Sequence, residues 1–359
     1  MKLYLVLLVL FAAGTQAAYS EESINVTSIN GLSPRYNNYS WYPLLPSFVQ
    51  YLLDAVRYVV LIFHFYFMTN TNIFMFQEMS INAPCLTNSS VMINGGNWEP
   101  ISSAMDTLGY DCYIGFHDER HWWKYYDYER CDQYNSYTPT GNGICVKRGT
   151  FSSVQYEYHQ LVNGSALPAV KVTWNGRNYT FASVHFDSDV VGIRNAELRA
   201  ATQDIYPADL NNIVVMCGDQ NTASDFGAYK HILQVSGYTD PHLDFLLATG
   251  QEEYIVPSQP LATGWYHQND NGQHRKNIDF CIVVQGGAIV NPKLFEGDGS
   301  LMGYPNSTIS GVLDFGLWKK YPIQNPPRQD PNALLRNGEA MQIWGSDHFG
   351  YRVALKMRL

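Results

Sequence analysis

The sequence predicts a layered α/β fold in one domain, and three observations carry that expectation. Apolar runs of strand length alternate with helical patterns along the chain. Several of those runs end in polar residues capable of chemistry, which is how such folds display function on loops leaving a rigid sheet. From Ser23 onward no Gly/Ser-rich or Pro-rich linker and no internal repeat divides the 359 residues. With 46% hydrophobic and 15% charged residues, the chain can bury a sizeable core and does not read as disordered.

Residues 1–17 hold a lone Lys2, an apolar run from Leu3 to Ala13 and the small-residue exit Thr15-Gln16-Ala17. This is the three-part pattern of a secretory signal peptide, cleaved after Ala17 and leaving 18–359 as the single domain. The run is well short of the roughly 20 apolar residues that span a bilayer. A secreted destination gives meaning to six Asn-x-Ser/Thr sequons, at Asn25, Asn38, Asn88, Asn163, Asn178 and Asn306. It also permits disulfides among six cysteines. Cys85, Cys112, Cys131 and Cys145 lie in polar surroundings and are expected to pair among themselves. Cys217 and Cys281 sit inside apolar, strand-like runs, where a plain core thiol is a sufficient reading.

The elements follow in order. Ile24 to Ile29 alternates apolar and polar as a half-buried strand does, and ends at Asn30-Gly31. Leu52 to Met68 is strongly apolar, but Asp54, Arg57 and His64 interrupt it, so it reads as a buried helix rather than a membrane anchor. Four apolar runs then meet polar groups: Asn72 to Phe76 before Gln77-Glu78, Tyr179 to Val184 before His185, Ile213 to Cys217 before Gly218-Asp219-Gln220-Asn221, and Ile278 to Val284 around Asp279. A last run, Tyr351 to Leu355, follows Ser346-Asp347-His348. Residues 110–138 break the alternation with a dense set of Tyr and Trp bracketed by Cys112 and Cys131. They read either as an aromatic substrate loop or as an insertion stapled to the surface, and the second is favoured.

Charge narrows the partners. Removing the signal takes away Lys2 and no acid, so 23 basic against 32 acidic residues become 22 against 32, a net charge of −10. That disfavours a broad basic footprint for nucleic acid, although a divalent cation reverses the local field in a cleft.

Hydrolysis of a phosphate ester requires neutralisation of the phosphoryl oxygens, deprotonation of a water and stabilisation of the leaving oxygen. The strand ends supply carboxylates at Glu78, Asp219, Asp279 and Asp347, amides at Asn30 and Asn221, and imidazoles at His185 and His348. Hard oxygen donors suit Mg²⁺, with Mn²⁺ or Ca²⁺ as substitutes, and no Cys/His zinc spacing accompanies them. Singly, each residue reads as easily as a turn or cap. In order they read INVTSIN (24–30), IFMFQE (73–78), GNGICVKRG (141–149), TFASVHFDSD (180–189), IVVMCGDQNTASDFGAYK (213–230), NIDFCIV (277–283) and GSDHFGYRVAL (345–355).

This series resembles the ordered signature of the endonuclease/exonuclease/phosphatase superfamily from about Ser23 to Leu355. The resemblance implies an α/β, deoxyribonuclease I-like fold: a four-layer sandwich of two central β-sheets flanked by helices, with the site at one edge. It implies that Glu78 is the principal metal carboxylate, helped by Asn30 and Asp347. His348 would be the base that activates water, oriented by Asp279. Asp219 and Asn221 would hold the nucleophile or phosphate, His185 would stand near the leaving group, and Asn142 is a phosphate-binding candidate.

The substrate is less determined. His185 after Ser-Val resembles deoxyribonuclease I, but Gly141-Asn142-Gly143 lacks the Glu that pairs with that enzyme's histidine and looks closer to the phosphatase and sphingomyelinase branches. The expectation is a secreted, metal-dependent phosphodiesterase acting on DNA, with a sphingolipid, other phospholipid or inositol phosphate as the alternative. Membrane contact follows only if lipid is the substrate, through Trp122, Trp123, Tyr125 and Tyr126. No stable protein partner is inferred. A catalytically silent binding glycoprotein would have lost a ligand or a histidine, and the sequence keeps them all.

Overall fold

Period-two alternation in the strands becomes two sheets stacked face to face. The computed structural model describes residues 23–31, 71–80, 98–117, 140–188, 190–209, 211–221, 226–240, 264–265, 275–276, 279–284 and 351–356. In chain order these form β1 (Ser23–Asn30), β2 (Ile73–Ser80), α1 (Trp98–Thr107), β3 (Tyr110–Phe116), β4 (Thr140–Lys147), β5 (Ser153–Gln160), β6 (Ala166–Trp174) and β7 (Arg177–His185). There follow α2 (Val191–Arg199), which widens into a π-type stretch (Ala200–Ile205), β8 (Asn212–Asp219), α3 (Phe226–Ser236), β9 (Tyr238–Thr239), β10 (Gly264–Trp265), β11 (Arg275–Lys276), β12 (Asp279–Val284) and β13 (Tyr351–Lys356). One sheet has the order β13-β1-β2-β4-β3, the other β5-β6-β7-β8-β12-β9, and β10 pairs with β11 apart from both.

Side-chain alternation sorts the residues into layers. Ile73 and Met75 of β2 point between the sheets and meet Phe181, Val215 and Cys217 of the other sheet. Phe74 and Phe76 point the opposite way, under Trp98, Ile101 and Met105 of α1. On the second sheet Val214 and Met216 of β8 face outward, against Leu198 of α2 and Tyr229, Ile232 and Leu233 of α3. The result is helix, sheet, sheet, helix, the layer order that the family resemblance implies. Strands β7 and β8 are covered on both faces, which is why their sequences read as nearly continuous apolar runs. Burying each large apolar side chain there contributes about 1.5–3 kcal/mol.

Two expectations change. Cys217 and Cys281 are not core thiols: they form a disulfide, because β8 and β12 pair antiparallel with Cys281 opposite Cys217. Cys112 pairs with Cys145, its cross-strand neighbour between β3 and β4, as the expected pairing within the first four cysteines allows, but it does not staple a loop to Cys131. The 110–138 segment accordingly begins as strand β3 rather than as an insertion, and its Trp122 to Tyr126 lie outside the described residues. So do the leader, Leu52 to Met68, Cys85, Cys131, Asp347 and His348. Among the described residues no helix is long and apolar enough to cross a membrane.

Candidate active site

Four strand ends build the site. β1 and β2 run parallel, as do β7 and β8, so within each sheet two neighbouring strands finish at the same edge. Asn30 is the last residue of β1, His185 of β7 and Asp219 of β8, and the parallel register sets His185 beside Asp219.

Glu78 arrives differently. The β2–β4 register runs Phe76 to Gly143 and resumes at Met79 to Gly141, leaving Gln77 and Glu78 opposite Asn142 alone. This β-bulge puts Glu78 at φ 54°, a left-handed backbone that costs a non-glycine residue about 1–2 kcal/mol. Its neighbour Gln77 is fully buried and ties the sheets together at the floor of the site. Gln77 Nε2 donates to Ser183 Oγ of β7 at 2.9 Å, Ser28 Oγ of β1 donates to Gln77 Oε1 at 3.3 Å, and Ser183 Oγ donates to Phe76 O at 2.9 Å. That supporting role was missed in the sequence, where only the glutamate of Gln-Glu was singled out.

Asn30 stands between the two carboxylates: its Nδ2 donates to Glu78 Oε1 at 2.9 Å and to Asp219 Oδ2 at 3.3 Å. His185 Nε2 lies 3.7 Å from Asp219 Oδ2 and 4.0 Å from Glu78 Oε1. Ligand-capable atoms of Glu78, His185 and Asp219 all fall within 4.8 Å of one another. Two carboxylates and one imidazole, partly shielded from solvent, form a donor set that a divalent cation complements, since a cation relieves the repulsion between the two carboxylates. The residues therefore fit a hard or borderline divalent metal.

Glycine makes the Asp219 arm possible. At Gly218, φ 150°, an added Cβ would stand 1.9 Å from the carbonyl oxygen of Val184 in β7. Beyond it Asn221, at φ 52°, donates its backbone N–H to Asp219 Oδ1 at 3.0 Å and its side-chain Nδ2 to Phe186 O at 2.9 Å. Asp219 is thus held through one oxygen by Asn221 and through the other by Asn30. Asp279, opposite Asp219 in the β8–β12 register, comes to the same edge by its backbone.

A second ring of buried polar groups surrounds His185. Asn142 is fully buried, gives one amide hydrogen to Ala166 O at 2.7 Å, and leaves Oδ1 without a partner among the described residues. Ala166 N donates to Nδ1 of His117, whose ring lies edge-on to His185 with centroids 6.3 Å apart. Glu197 of α2, also fully buried, accepts from Ser165 Oγ at 2.5 Å and from Asp187 N at 2.7 Å. Burial pushes the Glu197 carboxyl up to about 7, against the lowering effect of those two hydrogen bonds. Neither His117 nor Glu197 was legible as part of the site.

TDP2 from C. elegans is similar to this chain at 13% identity over 97% of this chain and 79% of that one, with a TM-score of 0.50. Its selenomethionine form gives 12% identity, 95% and 77% coverage, and a TM-score of 0.50. The fold is that of the endonuclease/exonuclease/phosphatase superfamily. An endonuclease/exonuclease/phosphatase family protein from Leptotrichia buccalis aligns over 93% of this chain and all of its own, at 10% identity and a TM-score of 0.48. No protein-family model matches the sequence, and no curated protein does. Within the endonuclease/exonuclease/phosphatase fold of this chain, the cluster of Glu78, Asp219 and His185 occupies the edge where β1, β2, β7 and β8 end.

Proposed function

We propose that this chain is a secreted, divalent-metal-dependent hydrolase of phosphodiester bonds, with DNA as the favoured substrate. The observation that carries the reading is the convergence of Glu78, Asp219 and His185 within 4.8 Å, with Asn30 between the carboxylates, on four strand ends of an endonuclease/exonuclease/phosphatase fold. Glu78, Asn30 and Asp347 would hold Mg²⁺, or Mn²⁺ or Ca²⁺ in its place. Such an ion, when bound, neutralises charge on the phosphoryl oxygens.

The chain's own groups do the rest. His348, oriented by Asp279, takes the proton of the attacking water. Asp219, fixed through both oxygens, orients that water or the phosphate together with Asn221. His185, flanked by Asp219 and Glu78, complements the charge that builds on the scissile phosphate and leaving oxygen. Asn142 serves the phosphate only through its second amide hydrogen, since the first is given to Ala166 O. DNA is favoured because the Ser-Val-His strand end resembles deoxyribonuclease I. Secretion is supported by two cross-strand disulfides, which persist in oxidising compartments, and Asn178 on β7 is an exposed acceptor for glycan.

The test is purified protein offered plasmid DNA, RNA, sphingomyelin vesicles and inositol phosphates in parallel, with Mg²⁺ and with excess chelator. Plasmid nicking that disappears in chelator and returns with Mg²⁺ is expected. Turnover of none of the four overturns the phosphoesterase reading. Turnover of sphingomyelin alone overturns DNA and leaves the reaction class standing.

A further inference from the structure

His117 follows β3 in a sequence, Gly115-Phe116-His117, that carries no motif, yet it is 7% exposed and in ring contact with His185. Its backbone N–H continues the sheet by donating to Thr140 O at 2.9 Å. Its Nδ1 accepts the backbone N–H of Ala166, the first residue of β6, at 2.9 Å. An Nδ1 that accepts a backbone N–H carries no proton, so the ring is the neutral tautomer with its hydrogen on Nε2. The hook also fixes the ring plane, because both of its attachments, the end of β3 and the start of β6, are backbone held in sheet ladders. That fixed ring meets His185 at an interplanar angle of 70° and a centroid distance of 6.3 Å, the edge-to-face arrangement that aromatic rings prefer.

His185 needs such a neighbour. It ends its strand, and its Nε2 must point at Asp219 and Glu78 rather than swing about χ1 and χ2. We propose that His117 is a positioning residue for His185: a neutral imidazole, hooked to the Ala166 N–H, that sets the ring plane of the site histidine. A neutral ring suits that place, since a second cation would oppose the charged form of His185. Its part in turnover rests on the phosphodiesterase reading. The ring contact itself does not.

Three variants of the full chain separate hook from ring. In His117→Asn the side-chain oxygen replaces Nδ1 as acceptor but the ring is gone. In His117→Phe the ring stays and the hook is lost. His117→Ala loses both. With bis(p-nitrophenyl) phosphate and Mg²⁺, Asn and Ala are expected to lower kcat about tenfold or more, with KM within about twofold, and Phe, which keeps a ring but loses the hook that sets its plane, to fall between them and the parent. A role confined to stability would give the reverse order, with Asn like the parent and Phe impaired, and would overturn the proposal. Equal rates in all four proteins would overturn it too.

The imidazole proton and carbon signals of His185, assigned with a His185→Asn variant, supply a measurement without catalysis. They are expected to move most in Asn and Ala, through loss of the ring, and less in Phe, whose ring remains but is no longer held in plane by the hook. Unmoved His185 signals in His117→Asn overturn the proposal. If the parent hydrolyses none of the phosphodiesters, the functional reading fails while these signals still decide the contact.

Discussion

Strand β2 delivers Glu78 to the site by leaving its register, whereas strand β8 delivers Asp219 in an unbroken ladder. On the β2 side an extra residue is inserted, Glu78 takes a left-handed backbone, and Gln77 restores order by bonding to both sheets. On the β8 side Asp219 pairs with His185 and Asp279 in regular register, Gly218 lets the Val184 carbonyl approach, and a disulfide joins β8 to β12 two residues back. One arm is aimed by local strain and the other by rigidity. A bent arm is tolerable where the second is fixed, because the relative position of two carboxylates needs only one adjustable end.

The straight arm should be the more fragile. In Gly218→Ala the new methyl would lie 1.9 Å from backbone, not from a side chain that can swing away, so β7 and β8 must separate. A loss of roughly 4–5 kcal/mol, or no folded protein, is expected in denaturant unfolding. A variant within about 1 kcal/mol of the parent would show that this arm is not rigid. Removing the Cys217–Cys281 bond by Cys217→Ala with Cys281→Ala should cost about 4 kcal/mol, from the chain entropy released by opening a 64-residue loop. The matched comparison is reduction of the parent, which opens Cys112–Cys145 as well and should cost more.

Much of this contrast could be read in advance. The straight arm was legible: Ile213 to Cys217 before Gly218-Asp219 is an apolar run with a glycine where close approach is needed. The disulfide was hidden, because a sequence gives no strand register. Yet Cys217-x-Asp219 and Asp279-x-Cys281 are mirror images that must pair once the aspartates are opposed in antiparallel strands. The bulge also left a trace. Phe76 and Met79 both pack on the helix side of the sheet, which an even period allows only if one residue is extra, and Gln77-Glu78 between them breaks the alternation. His117 left none, because its partners are the backbone of Ala166 and the ring of His185. The base assigned to His348 and the ligand assigned to Asp347 lie outside the described residues.

Glu197 tests the rigid side through pH. Its carboxyl is raised from 4.5 to about 7 in the folded chain. Between those values the native state holds a proton that the unfolded state has released, so stability falls as pH rises through this window and levels off above it. Across that window the bound proton is worth roughly 3 kcal/mol, at 1.36 kcal/mol per pH unit. Glu197→Gln cannot ionise, can accept from Asp187 N and can donate to Ser165 Oγ. The difference in unfolding free energy between variant and parent should therefore grow in favour of the variant from pH 5 to pH 7.5. A difference that stays constant across this range would mean that Glu197 titrates as an ordinary surface carboxylate.

The bent arm gives the smallest effect and the only one in which stability and activity part company. Glycine at 78 accepts φ 54° without the steric cost borne by Glu78, about 1–2 kcal/mol, although it loses about 0.5–1 kcal/mol to the greater freedom of the unfolded chain. It also removes one of two carboxylates that share the Asn30 amide. Glu78→Gly should thus leave the fold unchanged or more stable by up to about 1.5 kcal/mol while abolishing phosphodiester hydrolysis. Glu78→Ala keeps the strain and loses the carboxylate, so it should be as inactive but less stable than Gly by about 1 kcal/mol. If Ala and Gly melt together, the left-handed backbone at 78 carries no cost, and β2 reaches the site as easily as β8 does.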